Sequence, residues 1–191
     1  MLIEREKSLL LIVDVQEKLA PAIFEGDAAI RNNVKLLTGA RQLGIPSFIS
    51  EQYVRGLGAS VAEIREAAAA TMGKAVSPAV NTKFFEKMHF SCAAEAGVID
   101  MLRASGRQQV LLTGMEAHVC VLQTALGLLE AGFDVFLIAD ATSSRTPANR
   151  DAAIERLRHC GVPIVTTEMV IFEWLHQAGT EEFRAMLPLI K

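Results

Sequence analysis

The sequence has few cysteines, no paired cysteine motif and no run of basic residues. Its 191 residues include three cysteines, Cys92, Cys120 and Cys160, whose spacing suits neither a zinc site nor a redox CxxC motif. The net charge is -3, and no basic patch is interleaved with aromatic residues. We therefore expect reduced thiols and no nucleic-acid partner.

Long apolar segments and linkers are also missing. The first apolar stretch, "LLLIVDV", is interrupted by Asp14 and is much too short to cross a bilayer, and no signal-peptide cleavage pattern follows it. No Pro/Ser-rich linker, repeat or low-complexity tract divides the chain. These absences predict a cytoplasmic protein with no membrane partner, folded as a single domain over residues 1–191.

Short apolar runs alternate with longer amphipathic segments, a pattern typical of βαβ units. Strands are predicted at 8–15, 46–50, near 74–80, 108–114, 134–140 and 162–167. Helices are predicted at 28–43, 60–70, 92–105, 118–131 and 147–160, with two more on either side of "AGT" at 178–180. The strands are almost continuously hydrophobic, so helices must cover both faces of the sheet. The predicted fold class is α/β, a three-layer α/β/α domain around a mostly parallel, six-stranded, Rossmann-like sheet of order 3-2-1-4-5-6.

In such a sheet, ligands bind beyond the carboxyl ends of the strands, where the strand order reverses. Asp14 ends the first strand and Cys120 follows the fourth, so both face one crevice. Cys120 is expected in the first turn of a helix, where free N–H groups lower the pKa of a thiol, and Asp14 is a candidate base. The structural alternatives are a buried, inert Cys120 and an Asp14 that caps a turn.

The segment "NTKFFEKMHFSC", residues 81–92, offers a cation for this crevice. Composition alone does not choose between Lys83 and Lys87. A pair of His118 with Cys120 is a second catalytic scheme, ranked below the carboxylate one.

Three segments resemble the isochorismatase-like cysteine hydrolase family, which also contains nicotinamidases and N-carbamoylsarcosine amidase. They are "LLLIVDVQEKL", "EKMHFSC" and "TGMEAHVCVLQTALGLLEAGFDVFLIADATSSR", in the family's order between residues 8 and 175. The resemblance implies Asp14 as general base, Lys87 as its positive partner and Cys120 as nucleophile. It also implies a cis peptide bond between Met115 and Glu116, so that the backbone N–H groups of Glu116 and Cys120 form an oxyanion hole.

One departure from the family concerns metal binding. Nicotinamidases carry an Asp and two His residues in the loop after the second strand, whereas this loop is "SEQYVRGLG" and no histidine precedes His89. We therefore predict no metal and no cofactor. Four residues are expected to line the substrate pocket, with core packing the alternative for Phe84 and loop packing for His118: Gln16, Tyr53, Phe84 and His118.

The resemblance implies a hydrolase that cleaves a small amide or related C–N bond through an Asp/Lys/Cys triad and a covalent thioester. The partner would then be a small-molecule substrate, and the chain would form a homo-oligomer, as family members do. The alternative from another class is a catalytically idle protein that keeps the fold for binding or as a scaffold.

Overall fold

The centre of the protein is a six-stranded sheet in which every neighbouring pair of strands is parallel. The structure is a computed structural model that describes residues 1–70 and 82–190. The strands are β1 Ser8–Val13, β2 Ser47–Gln52, β3 Thr82–Lys87, β4 Gln109–Gly114, β5 Asp134–Thr142 and β6 Ile164–Val165. Their order is 3-2-1-4-5-6, which confirms the predicted fold class.

Helices pack on both faces of this sheet. They are α1 Gly26–Gln42, α2 Val54–Leu57, α3 Ala62–Ala69, α4 Val98–Arg103, α5 Leu122–Glu130, α6 Pro147–His159, α7 Thr167–Leu175 and α8 Glu181–Ile190. Buried residues of α1, α3, α7 and α8 form one core, and those of α4, α5 and α6 form the other. Within the described ranges, none of the helices combines the length and the apolar character needed to cross a bilayer.

The side chains of β1 show why the strand is hydrophobic throughout. Leu10 and Ile12 belong to the core beneath α1, whereas Leu9, Leu11 and Val13 belong to the core beneath α5. Successive side chains of a strand point to opposite faces, so a strand covered on both sides needs apolar residues at every position.

The sequence pattern misses the third strand. Residues 74–80, where a strand is predicted, lie outside the described residues, and β3 is formed by Thr82–Lys87 instead. β3 is an edge strand with mostly exposed or half-exposed side chains, so it lacks the continuous apolar run of the inner strands. The predicted helix at 92–105 is also divided, into a 3₁₀ turn at Cys92–Ala94 and α4.

The ends of β1 and β4 meet closely at Gly114. This glycine has a φ of 116°, and a Cβ atom built on it would collide with the Val13 carbonyl oxygen. The next residue, Met115, donates its N–H to the same oxygen at 2.8 Å. The absence of a side chain at residue 114 therefore lets the segment after β4 run alongside Asp14.

Replacing Gly114 by alanine should destabilise the fold by about 3 kcal/mol or more, because a left-handed backbone and an overpacked contact add together. Gly132→Ala is the matched control. Gly132 has a φ of 88° but open space around its Cα, so we expect a loss of only about 1–2 kcal/mol there. Urea unfolding measures both, and equal losses would show that the contact with Val13 is unimportant.

Candidate active site

Asp14 and Lys87 form a buried ion pair at the carboxyl end of the sheet. Lys87 Nζ lies 2.7 Å from Asp14 Oδ2, and neither side chain is exposed to solvent. Lys87 ends β3 and Asp14 follows β1, so the lysine side chain reaches across the intervening strand β2. Lys83 is exposed on the same strand. Of the two candidate lysines, the fold brings Lys87 to Asp14.

Four oxygen atoms surround the Lys87 ammonium. Besides Asp14, Nζ donates to Gln52 Oε1 at 2.6 Å and to the backbone oxygens of Phe90 and His89 at 3.0 and 3.2 Å. A buried ammonium has three N–H donors that need acceptors. The protein therefore replaces the water that the charge has lost.

The loop that supplies two of these oxygens is held by Glu95. Its Oε2 accepts hydrogen bonds from the Met88 N–H at 2.9 Å and the His89 N–H at 3.3 Å, and lies 3.0 Å from His89 Nδ1. The bond from the Met88 N–H, followed by those from His89, lowers the pKa of Glu95 from 4.5 to about 2. The Glu95 carboxylate thus orders the loop around Lys87.

Both oxygens of the Asp14 carboxylate accept hydrogen bonds. Lys87 binds Oδ2, and the Ser50 hydroxyl donates to Oδ1 at 2.6 Å. Asp14 has a φ of 53°, and its N–H donates to the Ser50 backbone oxygen at 3.1 Å. Strand β2 therefore fixes both the backbone and the side chain of Asp14.

Cys120 lies in a π-helical turn, Ala117–Val121, which continues into α5. Its pKa is raised, first by burial and then by the charge of Asp14 and a hydrogen bond with it, while Lys87 lowers it only in part. The sequence predicts a lowered pKa from the helix N-terminus, and this prediction is wrong because burial dominates. The resting thiol is neutral and lies beside a carboxylate that can accept its proton.

The peptide bond between Met115 and Glu116 is cis, as the resemblance implies. Within residues 1–70 and 82–190, no atom accepts a hydrogen bond from the Glu116 N–H. The flanking groups are tied to the loop after β5: the Ala117 N–H donates to Ser143 O at 2.8 Å, and Arg145 Nε lies 2.6 Å from Glu116 Oε1. The Glu116 N–H is thus available to a substrate oxygen.

Two predicted pocket residues lie next to the ion pair. Gln16 is fully buried, and its amide binds the backbone of Gln52 and Gly58 rather than turning to Asp14. Tyr53 is half exposed, and its N–H donates to the Lys87 backbone oxygen at 3.0 Å. Gln16 therefore supports the loop after β2, and Tyr53 lies beside Lys87 with its side chain partly exposed to solvent.

The other two residues predicted to line the pocket, His118 and Phe84, make contacts of different kinds. His118 Nδ1 lies 2.9 Å from Ser144 Oγ, a contact that agrees with loop packing, the alternative to a role in the pocket. Phe84 lies under the guanidinium of Arg65, 5.6 Å from the ring centre, on the face of β3 opposite to Lys87. Phe84 therefore points away from Lys87, because residues three apart in a strand point to opposite faces, and its place in a substrate pocket stays a prediction.

Sequence reasoning misses the groups that support the ion pair, above all Ser50. The available signal is the segment "SFISEQ", in which polar residues at 50 and 52 share one face of β2 beside the predicted site. Among the described residues, no group of three or more His, Cys, Asp or Glu side chains is arranged to hold a metal ion.

Comparison with known proteins connects this site to a family. A family model described as the isochorismatase domain matches residues 8–169, which include Asp14, Lys87 and Cys120. The secreted isochorismatase effector Isc1 of Phytophthora sojae is 37% identical over 185 residues, covering 96% of this chain and 84% of the relative.

Solved structures share the fold over almost the whole chain. MAR1 ribonuclease from Caenorhabditis elegans is 34% identical with a TM-score of 0.88, covering 100% of this chain and 92% of that one. YcaC from Pseudomonas aeruginosa, solved with hexane-2,5-diol and covalent acrylamide, is 25% identical with a TM-score of 0.84, covering 98% and 91%. The Escherichia coli YcaC gene product, an octameric hydrolase of unknown specificity, is 21% identical with a TM-score of 0.85, covering 99% and 90%.

Removing the Lys87 charge should destabilise the protein strongly. Lys87→Met leaves the Asp14 carboxylate buried without its counter-ion, and such losses are about 3–5 kcal/mol. Lys83→Met, on the exposed part of the same strand, should stay within about 0.5 kcal/mol of the parent. Chemical denaturation compares the two, and a small loss for Lys87→Met would mean that the pair is not buried in solution.

The contribution of Glu95 to the free energy of unfolding should depend on pH. Its pKa in the folded state is about 2, below the ordinary 4.5, so the stabilisation by Glu95 is complete above pH 4.5 and is lost as the pH falls towards 2. The difference in unfolding free energy between the parent and Glu95→Gln should shrink across that window. Glu86→Gln, at an exposed position of β3, is the control, and a difference independent of pH would contradict the assignment.

Proposed function

The chain belongs to the isochorismatase family, and on that premise we propose that it is a cysteine hydrolase that cleaves a small amide or related C–N bond. The family supports a hydrolase fold without naming a substrate. The observation that carries the finer proposal is the neutral Cys120 thiol beside a buried Asp14–Lys87 pair, with the Glu116 N–H close by in the chain.

The mechanism follows from these positions. Asp14 accepts the proton of Cys120 as the thiolate attacks the carbonyl carbon, and the N–H groups of Glu116 and Cys120 stabilise the oxyanion. When the tetrahedral intermediate collapses, Asp14 returns the proton to the departing amine and a thioester remains on Cys120. Asp14 then takes a proton from water as the water attacks the thioester, the acid is released, and Asp14 returns the proton to the Cys120 sulfur.

Lys87 makes deprotonation of the thiol possible at a buried position. It lowers the pKa of Cys120, whereas burial and the charge of Asp14 raise it. Both side chains are excluded from solvent, so the charge of Lys87 is little screened. Besides substrate and water, each step uses only side chains and backbone groups of this chain, so the proposal requires no cofactor.

A relative supports a reactive nucleophile in this fold. The Pseudomonas aeruginosa YcaC structure contains covalent acrylamide, and acrylamide is an electrophile that reacts with thiols. The Caenorhabditis elegans relative is a ribonuclease, which raises RNA as another substrate. We favour a small molecule, because RNA binding depends on positive surface charge and this chain has a net charge of -3.

Cys120 should be alkylated by iodoacetamide or acrylamide faster than Cys160 at neutral pH, although Cys120 is buried and Cys160 is exposed. Asp14→Asn removes the base, so the Cys120 rate should fall about 100-fold or more while Cys160 stays unchanged. Asp140→Asn is the matched control, because Asp140 binds Thr167 at the start of α7, away from the thiol. Mass spectrometry of each cysteine gives the rates.

Slow and equal labelling of Cys120 and Cys160 in the parent protein would refute the assignment of Cys120 as the nucleophile. It would favour a catalytically idle protein that serves for binding or as a scaffold. Purified protein and its Cys120→Ala variant should then be screened against amides, ureides, carbamoyl compounds and an RNA oligonucleotide. Turnover of a C–N bond that Cys120→Ala abolishes would support the proposal, and cleavage of RNA alone would contradict it.

We also propose that the chain is one domain over residues 1–191, forms a homo-oligomer and works in the cytoplasm. The Escherichia coli YcaC gene product is an octamer, and apolar Met169 and Phe172 are exposed on α7 here. One relative is a secreted effector, so the cytoplasmic location stays a prediction.

A further inference from the structure

Strand β2 lies between the strands that lead to Asp14 and Lys87, yet the mechanism above assigns it no part. It ends with two buried polar side chains, Ser50 and Gln52, which share one face because they are two residues apart. Gln52 accepts from the Lys87 ammonium, and Ser50 donates to the Asp14 carboxylate. Each member of the ion pair therefore has its own partner on β2.

Ser50 contacts Asp14 twice. Its hydroxyl donates to Oδ1 at 2.6 Å, and its backbone oxygen accepts the Asp14 N–H at 3.1 Å. Lys87 already binds Oδ2, so the two donors together fix the plane of the carboxylate. A carboxylate oxygen has two lone pairs, so each oxygen keeps one acceptor site, and either can take the proton of Cys120.

We propose that Ser50 is a positioning residue whose hydroxyl holds the Asp14 carboxylate turned towards the Cys120 thiol. The inference rests on the proposed function, because it takes Asp14 as the base. It adds a group that touches no substrate and acts through Asp14 alone.

The neighbouring Ser47 provides a matched comparison. It lies on the same strand and is as deeply buried, but its hydroxyl only approaches the Ile45 backbone oxygen, at 3.4 Å. Ser47→Ala and Ser50→Ala both remove a buried serine hydroxyl from β2. Only Ser50→Ala also removes the hydrogen bond to Asp14.

The test is the rate of Cys120 alkylation by iodoacetamide from about pH 5 to about pH 9. Ser50→Ala should slow the reaction about tenfold at neutral pH, because the Asp14 carboxylate loses the hydrogen bond that orients it towards the thiol. Ser47→Ala should keep the parent profile. Cys160 in the same samples is the internal standard for reagent and folding.

Ser50→Thr and Ser50→Val form a second pair, of equal shape, that differs only in the hydroxyl. Any packing defect is shared, so Thr should retain most of the rate and Val should lose it. Equal rates for Thr and Val, or a Ser50→Ala profile that matches Ser47→Ala, would overturn the inference.

The two proposals fail in different ways. If Cys120 of the parent reacts no faster than Cys160, the nucleophile itself is refuted, and the role of Ser50 falls with it. If Cys120 of the parent reacts fast and depends on Asp14, but every Ser50 variant behaves like the parent, only the role of Ser50 is refuted.

Discussion

The ion pair between Asp14 and Lys87 is the constraint on which the rest of the site depends. Two opposite charges 2.7 Å apart with no solvent exposure lose the free energy of hydration, and their mutual attraction offsets that loss only when every remaining donor and acceptor is satisfied. The chain meets this requirement with an amide from β2, a serine hydroxyl, and the backbone oxygens of residues 89 and 90. Glu95 in turn holds the loop that provides those oxygens.

The same burial determines the protonation state of Cys120. A buried thiol next to an anion stays protonated, so the pKa of Cys120 is raised although Lys87 opposes the effect. In the proposed mechanism a reactive thiolate forms only when an electrophilic carbon lies against Cys120 and Asp14 takes the proton. The arrangement therefore requires a well-oriented base.

Much of the fold follows from hydrophobic patterning, and the failures share one cause. The inner strands are mostly apolar because helices cover both faces, and this pattern predicts a parallel sheet with helices on both sides. Strand β3 is at the edge, where half of its side chains meet solvent, so its sequence carries no such pattern. The pleat of β3 also places Phe84 and Lys87 on opposite faces of the strand, a relation that hydrophobic patterning does not show.

The sequence by itself determined the fold class and the family and predicts the three site residues Asp14, Lys87 and Cys120, because hydrophobic period and a long motif are local properties of the chain. Only the tertiary structure decided that Lys87 reaches Asp14 across β2, that Ser50 binds the remaining carboxylate oxygen, and that the pKa of Cys120 is raised. Those facts depend on desolvation and on distances between atoms from different strands. No pattern along one strand encodes either quantity.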